Sequence, residues 1–77
     1  MKVLIKVHYA FNSTKCSQSG DFPVNYRDYK LDPDKAASVP AIKFISDIQK
    51  LFPEMEVIKV LYNEDIDITD IIKSPSD

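Results

Sequence analysis

From Val3 to Phe11 the chain alternates: Val3, Ile5, Val7, Tyr9 and Phe11 fall on one side, Lys2, Lys6 and His8 on the other. A period of two carried by β-branched and aromatic residues predicts a half-buried strand. Leu4, on the polar side, implies that this second face is partly covered. The stretch 12–23 (NSTKCSQSGDFP) is polar, holds the only glycine, Gly20, and is expected to be a long mobile or functional loop. In Val24–Leu31 the apolar residues change parity between Tyr26 and Tyr29. A bulge at Arg27-Asp28 would return them to one face, which predicts a second strand, antiparallel to the first and toward an edge.

The period then changes. Asp32-Pro33-Asp34 reads as a turn or short helical start, with Asp in a capping position and Pro next. Ser38-Val39-Pro40 repeats the signal, and Pro40 is tolerated only in a first helical turn. From there Ala41, Ile42, Phe44, Ile45, Ile48, Leu51 and Phe52 recur at three- and four-residue steps, opposed by Lys43, Ser46, Asp47, Gln49 and Lys50. This predicts an amphipathic helix of about three to four turns ended by Pro53, with Ile45 and Ile48 central to the core.

Glu54–Tyr62 is the next expected strand. Its apolar residues occupy both parities, as in a strand covered on both faces or placed centrally. A right-handed crossover through the helix would lay it parallel to the first strand. Asp65–Ile68 alternates like an edge strand, while Ile68, Ile71 and Ile72 fit a helical turn capped by Thr69. The expected fold class is α+β: a small β-β-α-β sheet of three to four strands, mixed in direction, with one amphipathic helix on one face. A single domain spans 1–73 and Ser74–Asp77 is a flexible tail.

The 77 residues allow one modest core, and 44% hydrophobic with 29% charged residues is an ordinary globular balance. No apolar run is long enough to cross a bilayer, and Lys6 interrupts the short N-terminal one, so a soluble, cytoplasmic protein without a membrane partner is expected. One cysteine and one histidine exclude a disulfide framework and a Cys/His zinc site. Net charge is −2 but unevenly spread. Residues 1–31 carry Lys2, Lys6, Lys15, Arg27 and Lys30 against Asp21 and Asp28. Residues 54–77 carry Lys59 and Lys73 against Glu54, Glu56, Glu64, Asp65, Asp67, Asp70 and Asp77. If the two ends adjoin in the fold they neutralise each other; otherwise the acidic end is a surface for a cationic partner.

Asp65-x-Asp67-x-Thr69 after an apolar strand is similar to the nucleophile motif of haloacid dehalogenase phosphotransferases. The resemblance covers five residues. Asn63-Glu64 separates the strand from Asp65, and the chain is too short for the phosphate-binding lysine loop and distal acidic ligands such enzymes need. An edge strand carrying charge against edge-to-edge pairing accounts for the same residues. An EF-hand counted from Asp65 would put Asp70 where Gly is required and Ser76 where Glu is required. His8 and Cys16 could form a nucleophile–base pair only by proximity in the fold, without a glycine-built oxyanion site. A single glycine builds neither a P-loop nor a dinucleotide-binding turn. No metal, cofactor or catalytic residue is assigned.

By elimination the expected function is a non-catalytic protein-binding module. It would be a regulator or inhibitor, of the kind small viral and phage proteins often are, that occupies a partner protein's surface. Its expected contacts are an acidic C-terminal patch (Glu64, Asp65, Asp67, Asp70), the segment Tyr26, Arg27, Tyr29 and Lys30, or a sheet edge. The alternative is nucleic-acid binding, with Tyr26 and Tyr29 stacking bases while Arg27 and Lys30 neutralise phosphates. A monomer or a homodimer is expected.

Overall fold

The computed structural model describes residues 1–73; the expected tail at 74–77 lies outside the described residues. Strands β1 (Lys2–Phe11), β2 (Thr14–Pro23), β3 (Glu56–Tyr62) and β4 (Ile66–Asp67) form one sheet in the order β2-β1-β3-β4. Helices α1 (Tyr26–Leu31) and α2 (Pro33–Leu51) connect β2 to β3, and α3 (Thr69–Lys73) follows β4. The class is α+β, as the alternation of periods implies. Every strand pair is antiparallel. The expected mixed sheet, with β3 parallel to β1, is therefore corrected. The helical crossover starts from β2, which already runs antiparallel to β1, so it gives β3 the direction of β2 and sets it antiparallel to β1.

The second strand lies in the segment expected to be a loop, not at 24–31. Asn12 and Ser13 both take left-handed backbone angles, φ 52° and 64°. Two consecutive left-handed residues are the tight hairpin turn whose twist matches that of paired strands. β2 then runs beside β1 in unbroken register from Phe11↔Thr14 to Lys2↔Pro23. The register sends Cys16, Gln18, Gly20 and Phe22 to the face of Val3, Ile5, Val7 and Tyr9, and Lys15, Ser17, Ser19 and Asp21 to the other. A β-carbon on Gly20 would sit 3.2 Å from the Phe22 ring, which packs against Phe44 of α2.

Residues 26–31, expected as a second strand, are helical. The Asn25 side chain caps α1 by accepting from the N–H of Arg27 at 2.9 Å and of Asp28 at 3.2 Å. Asp32 ends α1 and caps α2, its carboxylate accepting from the Lys35 N–H, with Pro33 at the first helical position. The first of the two start signals is thus the real one. Pro40 is interior to a 19-residue helix and leaves the Ala36 carbonyl without its helical donor.

The core forms where α2 crosses the inner sheet face. Ala37, Ala41, Ile45 and Ile48 bury against Val3, Ile5, Val7, Tyr9, Val60 and Tyr62. Ile42, expected among them, is 54% exposed. In β3 the pairing passes from His8↔Lys59 to Tyr9↔Val57, so Ile58 is an extra, bulged residue. The bulge accounts for apolar residues at both parities at Val57 and Ile58, while Leu61 lies on the outer face opposite Lys6. The bulge turns Val57 inward with Val60 and Tyr62 and leaves Ile58 exposed. No described element covers the outer sheet face, where Leu4 is only half-buried.

The final ambiguity resolves as a short strand running into a helical turn. The Val60 N–H donates to the Thr69 hydroxyl and the Ile68 N–H to the Val60 carbonyl, both at 2.9 Å. Residues 68–69 thus continue the ladder along β3 beyond β4, and Ile68 is buried.

Candidate functional site

The structure brings the two expected contact segments together. Tyr29 of α1 stands edge-on to Tyr62, ring centroids 6.4 Å apart, and its hydroxyl accepts from the Asn63 amide at 3.1 Å. Asn63 opens the acidic turn 63–65 and bonds through its own N–H to the Leu4 carbonyl. The basic front and acidic end therefore adjoin in the sheet, but the ion pair among the described residues is Lys50–Asp47, which belongs to neither.

The acidic residues do not converge. Glu64, Asp65 and Asp70 are exposed, and among the described residues no three acidic, His or Cys side chains sit as metal ligands would. Asp67 is occupied internally: one carboxylate oxygen accepts from the Thr69 hydroxyl at 2.6 Å and the Thr69 N–H at 2.8 Å. Those bonds hold its carboxyl below the usual carboxylate range. His8 and Cys16 lie on opposite faces of the sheet, with His8 opposite Ser17 on the outer face and Cys16 opposite Tyr9 on the inner, so they form no nucleophile–base pair.

Of the segment 26–30, Tyr29 is committed to Tyr62 and Asn63 and is half-buried, while Tyr26 is 65% exposed. Only Tyr26 offers a free ring, and it shares an exposed helix surface with Arg27 and Lys30. The groove side of α1 is a different one. Asp28, Leu31, Asp32, Lys35, Ala36 and Val39 line a solvent-open groove of about 430 Å³ between α1 and α2. Asp28, Ala36 and Val39 also border an adjoining hollow that reaches Pro23, Val24 and Pro40. The groove walls hold two aliphatic side chains standing largely in water, Leu31 at 79% and Val39 at 67% exposure.

Sequence reasoning did not single out Leu31, Val39 or Asp28. The missing signal was α1 itself. Once Asn25 is taken as a helix cap, Asp28 and Leu31 fall three residues apart on one side, facing the start of α2.

Among the described residues no helix is long and apolar enough to cross a membrane. No model of a known protein family, no curated protein and no solved structure matches this chain.

Proposed function

We propose that this protein is a small non-catalytic protein-binding module, acting as a regulator or inhibitor by seating a partner's peptide segment in the α1–α2 groove. The observation that carries the reading is that Leu31 and Val39 are both largely exposed and both line one groove. Burying each would contribute roughly 1.5–3 kcal/mol, enough to anchor a short segment. Asp28 and Asp32 outweigh Lys35 among the lining charges, so the segment that fits carries an apolar side chain followed by a Lys or Arg.

Selection from a random linear peptide library, followed by titration of the selected peptides, tests this. Peptides pairing an aliphatic or aromatic residue with a cation should be enriched, and Leu31→Asp or Val39→Asp should weaken them at least tenfold, about 1.4 kcal/mol. Selected peptides indifferent to both substitutions would refute the groove. Salt-dependent RNA or DNA binding lost on Arg27→Glu with Lys30→Glu would favour the nucleic-acid alternative instead.

A further inference from the structure

The sheet has two dissimilar edges. On the far side, β4 is two residues long and the Thr69 hydroxyl and Ile68 N–H occupy the β3 backbone beyond it. On the near side, β2 presents ten residues with no bulge and proline only at its last position. The ladder fixes which of its backbone groups are free. The Val24 N–H donates to the Met1 carbonyl at 2.8 Å, so Met1 and Val24 are a hydrogen-bonded pair. Such pairs alternate along an antiparallel ladder. Even-numbered residues of β2 therefore bond to β1, and the N–H and C=O of Lys15, Ser17, Ser19 and Asp21 point outward. The Asn63 N–H donating to the Leu4 carbonyl confirms the same alternation on the β3 side.

Natural edges of this length are normally blunted by central charge, proline or a bulge. Here the centre is Ser17, Gln18 and Ser19, and the charges stand at either end with opposite signs. Lys15 and Asp21 are exposed on the outer face, and neither has an ion-pair partner among the described residues.

We propose that β2 pairs antiparallel with β2 of a second copy about a two-fold axis at Gln18, joining the two sheets into one of eight strands. That register sets Lys15 opposite the second copy's Asp21 and Ser17 opposite its Ser19, each twice by symmetry. All four residues whose backbone groups face outward become hydrogen-bonded pairs. Sliding by one step in one direction puts Lys15 opposite Pro23, which has no N–H to give. Sliding in the other puts Lys15 opposite Ser19 and Asp21 opposite Ser13 in the turn. Charge and hydrogen-bond parity thus select the same alignment, and an edge that would otherwise accept any strand is closed by its own copy. The proposal rests on the β2 backbone and its charges alone, not on the α1–α2 groove, whose adjoining hollow reaches only the Pro23 end of this edge.

Sedimentation of the full chain tests it. The wild type should run at twice its 8.8 kDa mass at high micromolar concentration. Ser17→Pro removes an outward N–H without touching the β1–β2 ladder, so it should sediment as a folded monomer with unchanged far-ultraviolet circular dichroism. Lys15→Asp alone and Asp21→Lys alone oppose like charges and should each weaken dimerisation at least tenfold, while the double exchange restores it. A wild type that stays monomeric, a dimer that survives Ser17→Pro, or an exchange that fails to restore pairing would each overturn the proposal.

Discussion

The Tyr62 hydroxyl donates a 2.5 Å hydrogen bond to an Asp34 carboxylate oxygen, joining the end of β3 to the first turn of α2. Tyr62 is nearly fully buried, and burial first, then the Asp34 bond, pushes its phenol well above the ordinary tyrosine range. Its folded pKa exceeds its unfolded one, so the stabilisation is complete below about pH 10 and is lost as pH rises toward the folded value. Tyr62 should ionise only as the domain unfolds in alkali. Tyr62→Phe should cost about 1–2 kcal/mol at neutral pH and remove the late step in tyrosinate absorbance.

The two isoleucines six residues apart on α2 should behave oppositely. Ile48 is 2% exposed and central to the core, so Ile48→Ala should cost about 2–5 kcal/mol, enough to populate the unfolded chain. Ile42→Ala should change stability by no more than about 0.5 kcal/mol. Urea unfolding of both variants checks this pair, and equal losses would contradict the orientation of α2.

Ser13 holds a left-handed angle at φ 64° without glycine's freedom. Relieving that conformation offsets the added entropy of the unfolded chain, so Ser13→Gly should stabilise by about 0.5–1 kcal/mol and raise the thermal midpoint by several degrees. A loop at 12–23 would show no gain.

Asp67 anchors α3 through Thr69. Its folded pKa lies below the ordinary value, so its contribution is present above about pH 4 and is lost as pH falls through the lowered value. Hydrogen exchange at the Ile72 amide, which donates to the Ile68 carbonyl, should quicken on acidification before the β1 amides do. Asp67→Ala should make it fast at neutral pH and remove that acid dependence.

The fold was legible where period and composition agreed. β1 carries β-branched and aromatic residues at every second position, and Ile45 and Ile48 lie on the face of α2 that the helical spacing implies. β2 was not legible. Its residues Ser17, Gln18, Ser19, Gly20 and Asp21 have little intrinsic strand preference, and only pairing with β1 holds them extended. Its one local signal was Asn12, which tolerates the left-handed angle a tight hairpin needs. α1 was hidden because six residues show less than two full turns, and the Asn25 cap was the available clue. Of the site residues, Glu64, Asp65, Asp70, Tyr26 and Arg27 are exposed, but the acids do not converge, and Tyr26 and Arg27 stand on a helix where a strand was expected. The groove depends on α1 packing beside α2, a tertiary contact that local pattern does not encode.

Amide hydrogen exchange along residues 14–23, measured on the Ser17→Pro variant at low concentration, tests the strand assignment most directly. Slow exchange at Cys16, Gln18, Gly20 and Phe22, alternating with fast exchange at Lys15, Ser19 and Asp21, is the predicted pattern. Uniformly fast exchange would restore the loop, and the opposite alternation would place the free backbone groups on the wrong residues.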